Sequence, residues 1–256
     1  MGIRLTRIRR LLAEDRALTG AADKLETLAD HLCGKKSVLI TTSNRWSGHE
    51  EKPKSTLLAE EIASYTGSDV IDAAALKIAV CEGNVSSIEG NGCGVKESML
   101  KDRKKNPTGF HRCWASINNK DDELWKITKP MLDADAVVFF ASVRWGQTNS
   151  IHQKLIERLT WLENRHASLG EDNVLAGKES GIVVVGHNWR AQEVMDAQKK
   201  VLQFFGFDTP DVLSTSWQWT PEAEDETDQG YEEDPNDFAR DFQLVGIDRL
   251  LKKRTS

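Results

Sequence analysis

The strongest constraint on the fold is a pair of uninterrupted apolar segments, Ala136 to Ala141 and Gly181 to Val185. A strand with one face in water alternates apolar and polar residues, whereas a strand covered on both faces is apolar throughout. Both segments therefore predict central strands of a sheet with helices on either side. Because helical periodicity fills the sequence between them, the chain is expected to form βαβ units around a parallel sheet.

Other segments predict the rest of the sheet and its helices. Strands are expected at 37–42, near 69–72 and near 211–216. Helices are expected within 3–32, at about 55–65, from about 121, after 149, after 191 and at about 236–253. The helix after 191 is expected to turn Val194, Ala197, Val201 and Phe205 inward. Five strands of this kind fit a doubly wound α/β fold of order 2-1-3-4-5, whose ligand binds at the carboxyl ends of the strands near the switch point.

The chain divides into a central domain with an extension at each end. We expect an N-terminal helical extension at 1–35, an α/β domain at 36–220, and an acidic loop with a C-terminal helix at 221–256. Within the domain, residues 77–120 show neither helical nor alternating periodicity, and this segment is longer than the loops that merely connect elements in a compact domain. We interpret this segment as an excursion that covers a site or an interface.

Composition excludes several classes of protein. The net charge of −6 argues against a nucleic-acid partner, since such proteins concentrate basic residues on one face. No apolar run approaches the ~20 residues of a membrane span, so none is expected. Widely spaced cysteines without a secretory signal are typical of free thiols in a reducing cytoplasm, and we expect the protein there.

A metal site is one interpretation of the residues Cys81, Cys93, His111 and Cys113. These side chains are suitable ligands for zinc or an iron–sulfur cluster, but no Cys-x-x-Cys pair is present to nucleate a site. Scattered structural or surface thiols are the alternative. The spacing favours the thiols and leaves the metal open.

The loop after the first strand predicts an anion site. It leads from the strand at 37–42 into a helix that starts near Ser55, and free amides and the positive end of the helix dipole meet at such a point. Ser43, Arg45, Ser55 and Thr56 are its candidate donors to a phosphate. Neither Gly-x-x-x-x-Gly-Lys-[Ser/Thr] nor Gly-x-Gly-x-x-Gly occurs there, which excludes the commonest nucleotide loops. Alternatively, Ser55 only caps its helix.

Two further loops, 142–149 and 186–191, reach the same edge of the predicted sheet. The first brings Trp145 and Gly146, and a turn of this kind lays peptide groups against the rim of a flat heterocycle. Trp145 alone is ambiguous, because most tryptophans fill a core or an interface.

The chain resembles the flavodoxin-like NAD(P)H-dependent FMN reductases, including their quinone reductase and iron–sulfur flavoprotein relatives, over roughly 36–216. The most specific match runs from Leu132 to Phe139, through 142–147, to Lys154–Arg158. The resemblance implies that Ser43, Arg45, Ser55 and Thr56 hold the FMN phosphate. It implies that Ser142, Val143, Arg144, Trp145, Gly146 and Gln147 hold the flavin ring, with further contacts from Gly186, His187 and Asn188.

The chain departs from this family in two loops. Where the family often has Pro-Val-Tyr, this sequence has Val143-Arg144-Trp145, and Arg144 adds a cation that favours an anionic reduced flavin or a nicotinamide phosphate. Residues 48–53 lengthen the phosphate loop. The compact cysteine motif of the iron–sulfur branch is absent from the sequence.

The resemblance implies an FMN-dependent NAD(P)H oxidoreductase that works by ping-pong hydride transfer through flavin N5 to a quinone or similar small acceptor. It also implies a homodimer or homotetramer. The alternatives are a flavodoxin-type electron carrier and a scaffold protein without enzymatic activity. The acceptor and the preference between NADH and NADPH stay open.

Overall fold

The structure is a computed structural model that describes residues 19–45, 52–186 and 190–218. Its strands are β1 (Ser37–Thr41), β2 (Asp69–Asp72), β3 (Ala136–Arg144), β4 (Gln147–Thr148), β5 (Glu179–Gly186) and β6 (Thr215–Gln218). The parallel strands follow the order β2-β1-β3-β5-β6, and β4 pairs antiparallel with β3. Without β4, this is the predicted order 2-1-3-4-5, so the flavodoxin-like fold is confirmed. The sheet has six strands rather than five.

The helices are α1 (Thr19–Leu32), α2 (Lys54–Thr66), α3 (Trp114–Asn118), α4 (Trp125–Asp133), α5 (Ser150–Ala167) and α6 (Ala191–Phe205). Short 3₁₀ turns lie at Ala73–Ala75, Lys96–Ser98 and Asp211–Leu213. Helices α1 and α2 cover one face of the sheet, and α4, α5 and α6 cover the other. No helix in these described ranges combines the length and apolarity needed to cross a bilayer.

Strand β3 shows why its sequence is continuously apolar. Val137 and Phe139 belong to the core on the α5 side, whereas Val138 and Phe140 belong to the core on the α1 side. Successive residues of a strand point to opposite faces, so both faces demand apolar side chains. The prediction of central strands is confirmed for both β3 and β5.

Helix α1 forms part of the core that covers the sheet. Its buried residues Leu25, Leu28, Ala29 and Leu32 pack in the same cluster as Leu39 of β1. The described part of this helix lies within the segment 3–32, where helices were expected. Residues 1–18, as well as the acidic loop and last helix predicted for 221–256, lie outside the described residues, and the domain boundaries stay predictions.

Several predicted positions are shifted. The helix expected from about 121 begins at Trp125, because the Asp122 side chain accepts hydrogen bonds from the amides of Ala79 and Leu124 and holds the chain in a turn. The last strand begins at Thr215, after a 3₁₀ turn. The prediction that Ala197 points inward is wrong. The buried stripe of α6 is Ala191, Val194, Met195, Gln198, Leu202 and Phe205.

The excursion at 77–120 packs against α5. Ile78, Cys113 and Ala115 of this segment enter the core on that side of the sheet. Arg112, from the excursion, and Arg165, from α5, both form salt bridges with Glu171, at 2.6 Å and 2.9 Å. The excursion is therefore held to the fold by apolar contacts in the core and by ion pairs that share Glu171.

Two buried histidines make the stability depend on pH. Burial lowers the pKa of His111 and of His152 to about 4, with the charge of Arg158 adding to the effect at His111. In the unfolded chain a histidine titrates near 6.5, so between these values the unfolded state binds protons that the folded state does not. Stability is therefore complete above about pH 7 and falls as the pH drops towards 4.

We expect the free energy of unfolding, measured with urea, to be lower at pH 5 than at pH 7.5 by about 2 kcal/mol for each of the two histidines. His152→Gln removes one titrating group, so its difference between the two pH values should shrink by about 2 kcal/mol. A pH dependence identical to that of the parent protein would show that folding does not lower the pKa of His152.

Candidate functional site

An open cleft lies at the carboxyl edge of the sheet, where β1, β3 and β5 end. It is lined by Ser43, Asn44, Arg45, Pro53, Lys54, Ser55, Ser142, Arg144, Val185 and Gly186. Three segments that are far apart in sequence therefore meet there, at the switch point between β1 and β3. This is the edge at which an open α/β sheet binds its ligand.

The first rim of the cleft is the start of α2. The N-cap is Pro53, whose side chain forms no cap, and the carbonyl of Pro53 accepts from the amide of Leu57 at 3.0 Å. Ser55 is the second residue of the helix, so the alternative that it caps the helix is wrong. The amides of Ser55 and Thr56 belong to the first turn and have no acceptor within the helix.

Hydroxyl groups gather at this helix start. Ser55 is buried, and its hydroxyl donates to the Ser43 hydroxyl at 2.8 Å. Thr56 is buried too, and its hydroxyl has no partner. A buried hydroxyl without a partner is unfavourable by about 1–3 kcal/mol. The first turn of α2 therefore has donor groups in place for an acceptor-rich ligand.

The second rim is a hairpin, where a loop at 142–149 was predicted. Strand β3 continues to Arg144, which pairs with Gln147 of β4. Trp145 and Gly146 between them have φ of 51° and 69°, and positive φ at both central residues defines a type I′ turn. The loop prediction was wrong because Trp-Gly is not one of the usual sequence signals of this turn.

Trp145 occupies a costly position at the tip of this hairpin. A bulky residue rarely adopts positive φ, and this one is 93% exposed. Strained backbone conformations cluster at active sites and ligand-binding sites, which makes Trp145 a candidate functional residue. The alternative that Trp145 fills the core is therefore wrong, and the alternative that it fills an interface stays a prediction.

Asn149 joins the two rims and was missed in the sequence. Its side-chain amide donates to the carbonyl of Thr42 at 2.8 Å, and its side-chain oxygen accepts from the hydroxyl of Thr42 at 3.3 Å and from the amide of Ser142 at 3.2 Å. The residue is buried. Asn at the start of α5 has the sequence signal of an N-cap, but the structure shows no cap there. Asn149 instead fixes the spacing of the two chain segments.

We expect Asn149→Asp to lower the free energy of unfolding by about 2–4 kcal/mol, because a buried carboxylate then faces the carbonyl of Thr42 in place of a donor. Gln153→Glu is the matched control, since it makes the same amide-to-acid change on the exposed side of α5. The control should change stability by less than about 0.5 kcal/mol. Urea denaturation measures the free energy of unfolding of both variants. Equal losses of stability would contradict the role of Asn149 in fixing the spacing of the two chain segments.

The electrostatics of the cleft favour an anion. Arg45, Lys54 and Arg144 line it, and none of the lining residues in the described ranges is acidic. The whole chain has a net charge of −6. Positive charge is therefore concentrated at this edge against the overall balance of the chain, which attracts anionic ligands.

The structure brings together some of the predicted site residues and separates others. Ser43, Arg45, Ser55, Ser142, Arg144 and Gly186 line the cleft. Thr56 lies one residue further into α2, and Val143, Trp145, Gly146 and Gln147 lie on the hairpin beside the cleft. His187 and Asn188 lie outside the described residues. Sequence reasoning missed Asn44, Pro53, Lys54 and Val185.

Two of the candidate metal ligands, His111 and Cys113, are engaged in other contacts. Both ring nitrogens of His111 form hydrogen bonds, with the hydroxyls of Thr128 at 2.7 Å and Ser116 at 2.8 Å. The sulfur of Cys113 accepts from Arg158, and burial raises the pKa of the Cys93 thiol to about 12. Across 19–45, 52–186 and 190–218, no three His, Cys, Asp or Glu residues are arranged to hold a metal ion.

Comparisons with known proteins give matches among solved structures. RosB, solved with the bound intermediate 8-demethyl-8-formylriboflavin-5'-phosphate, is 14% identical, with 73% of this chain and 66% of that chain covered and a TM-score of 0.48. An azoreductase from Bacillus anthracis is 17% identical (68% and 85% covered, TM-score 0.40). An NADPH-quinone reductase from P. pentosaceus is 11% identical (75% and 90% covered, TM-score 0.40).

No protein-family model matches the sequence. No curated protein matches it. The site must therefore be interpreted from its own geometry and charge.

Proposed function

We propose that this chain is an FMN-dependent NAD(P)H oxidoreductase whose FMN lies in the cleft at the carboxyl edge of the sheet. The observation that carries the proposal is the convergence of the α2 start, the β3–β4 hairpin and the end of β5 on one cationic cleft. A helix start binds a phosphate, and the hairpin offers peptide groups and an exposed aromatic side chain for a flat ring. FMN combines these two groups in one molecule.

The residues at the α2 start fit the phosphate of FMN. The amides of Ser55 and Thr56 and the hydroxyls of Ser43, Ser55 and Thr56 supply donors, and the unpartnered hydroxyl of Thr56 would gain the acceptor that it lacks. Arg45 and Lys54 from the flanking loop supply positive charge. Charge-assisted hydrogen bonds of this kind are about twice as strong as neutral ones.

The residues of the second and third segments fit the ring. We assign ring contacts to Ser142, Val143, Arg144, Trp145, Gly146, Gln147, Gly186, His187 and Asn188. Gly146 has no side chain to hinder a close approach of its backbone. Asn149 keeps this segment at a fixed distance from the phosphate rim through its bonds to Thr42 and Ser142.

Bound FMN would supply the hydride chemistry of a ping-pong sequence. NAD(P)H gives up a hydride and leaves, and a quinone or similar acceptor then takes the two electrons together with two protons, one from the hydride and one from solvent. The protein's own groups bind the phosphate, orient the ring and leave one ring face open to the second molecule. A paired acid and base of the hydrolase kind is not required for this reaction.

Two measurements test the proposal. Titration of the protein with FMN should quench flavin fluorescence at a stoichiometry of one per chain, and the loaded protein should oxidise NADH or NADPH when a quinone is added. FMN binding without turnover would favour a flavodoxin-type electron carrier. A protein that does not bind FMN would contradict the proposal and leave the scaffold alternative.

We also propose a homodimer or homotetramer in the cytoplasm. Size-exclusion chromatography coupled to light scattering measures the mass, and a monomer at micromolar concentration would contradict the first part.

A further inference from the structure

The guanidinium of Arg144 has few partners among the described residues. The only hydrogen bond of its guanidinium to a described residue is to the carbonyl of Val143, at 3.1 Å, and none of the described carboxylates forms a salt bridge with it. A guanidinium has five N–H donors. Most of them are therefore available to a ligand in the cleft that Arg144 lines.

Arg144 belongs to the hairpin rim of the cleft, and the helix start forms the other rim. Arg45 and Lys54 lie in the loop that leads into α2, beside Ser43 and Ser55. The three cations that line the cleft together carry more formal positive charge than the about −1.5 to −2 of one phosphate monoester at pH 7 can balance. The positive charge of Arg144 thus exceeds what one FMN phosphate requires.

The backbone of Arg144 is fixed before any ligand binds. It is the last residue of β3, and its pairing with Gln147 of β4 closes the type I′ turn. The exposed indole of Trp145 follows directly. A cation on a paired hairpin loses little backbone freedom on binding, and its charge can discriminate between anionic and uncharged ligands.

We propose that Arg144 selects a second substrate that carries an anionic group, a phosphate monoester or a carboxylate, in addition to the phosphate of FMN. The proposal rests on the proposed function of the cleft and names the substrate class of the same site. Two sources share this chemistry. One is the extra phosphate that distinguishes NADPH from NADH, and the other is a carboxylated electron acceptor.

The test compares the parent protein with Arg144→Gln in equilibrium titrations of the FMN-loaded protein. One arm uses NADP⁺ and NAD⁺, and the other uses a quinone with and without a carboxylate. In one of the two arms, we expect Arg144→Gln to weaken binding of the more anionic ligand, NADP⁺ or the carboxylated quinone, by about 10- to 100-fold. Binding of its partner ligand, NAD⁺ or the uncharged quinone, should weaken by less than about threefold. The arm that responds identifies the source of the anion.

Two control variants separate charge from general disturbance. Arg103→Gln makes the same change at an exposed position in the excursion and should leave both titration pairs unchanged. Arg144→Lys keeps the charge but loses the two-pronged geometry, so it should recover part of the discrimination. The difference in affinity between the anionic and the less charged ligand should also shrink as the salt concentration rises, because the side chain of Arg144 is exposed.

Three results would overturn the inference. In the first, Arg144→Gln affects both members of each pair equally or not at all. In the second, it weakens FMN binding as strongly as a variant of Ser55 does, which would make Arg144 a phosphate ligand. In the third, it shifts the midpoint potential of FMN without changing the discrimination between the members of either pair, which would mean that Arg144 serves the flavin ring alone.

Failure of the proposed function is detected separately, because it appears as absent FMN binding or turnover in the parent protein. The titrations with NADP⁺ and NAD⁺ can then be repeated on the protein without FMN. Equal affinities in that experiment overturn the role of Arg144 as well.

Discussion

Ser55→Asp is expected to weaken FMN binding by at least about 100-fold while changing riboflavin binding by less than about threefold. Ser55 is 1% exposed at the start of α2, with its hydroxyl bonded to that of Ser43. The new carboxylate replaces a donor to the phosphate by a negative charge. Riboflavin has the same ring and side chain without the phosphate, so it does not experience this repulsion.

The substitution is designed to leave the helix intact. A carboxylate in the first turn interacts favourably with the helix dipole, so α2 should still form. Ser64→Asp is the matched control, since it adds the same charge to an exposed position of the same helix. Fluorescence titration of both variants with both flavins gives the comparison, and circular dichroism verifies the fold.

Each outcome of this experiment has a separate meaning. Unchanged affinity for FMN would place the phosphate elsewhere and contradict the assignment of the α2 start. Equal losses for FMN and riboflavin would show that the new side chain disturbs the ring site. Ser55→Ala, which removes a donor without adding charge, should lie between the parent protein and Ser55→Asp.

The architecture could be predicted because it depends on patterns that repeat along the sequence. The apolar runs of β3 and β5 follow from burial on both faces, and the stripes of α2 and α5 follow from burial on one face. Together with the alternation of strands and helices, these patterns leave few possible strand orders. The general position of the cleft followed from that order.

Details that depend on contacts between distant residues could not be predicted. Asn149 has the local signal of a helix cap, and only the approach of Thr42 gives its side chain different partners. The hairpin after β3 requires positive φ at Trp145, which a sequence pattern does not show. Ala197 was misplaced because a shift of the helical stripe by one residue exchanges buried and exposed positions.

The excursion at 77–120 is a second case in which contacts between distant residues decide the structure. Its polar sequence has no periodicity because its order comes from individual polar contacts with α5, above all those of Arg158. This side chain donates to both oxygens of Asp122, at 2.8 Å and 2.9 Å, as well as to the carbonyl of Ala79 and the hydroxyl of Ser116. Neither member of the Arg158–Asp122 pair exposes its side chain.

This buried pair also explains the ionisation of Asp122. Burial alone raises the pKa of its carboxyl, but the hydrogen bonds from Arg158, Ala79 and Ser116 outweigh it, so the pKa lies below its usual value. A lowered pKa in the folded state means that the stabilisation is present above the unfolded pKa, near 4, and is lost as the pH falls through the folded value.

Arg158→Met should lower the free energy of unfolding by about 3–5 kcal/mol, because it leaves the carboxylate of Asp122 buried without a counterion. Lys126→Met is the matched control, since it breaks the neighbouring ion pair with Glu123, which is partly exposed to solvent. The control should cost less than about 1 kcal/mol. Urea denaturation at pH 7 compares the two variants.

A double variant distinguishes lost packing from stranded charge. If the uncompensated carboxylate causes most of the loss, Arg158→Met combined with Asp122→Leu should be more stable than Arg158→Met alone, because no charge then remains buried. The recovery should be incomplete, since the amide and carbonyl of Ala79 lose their partners in the double variant. If the double variant is as unstable as the sum of the single ones, the pair is not coupled, and the order of the excursion must come from its apolar residues instead.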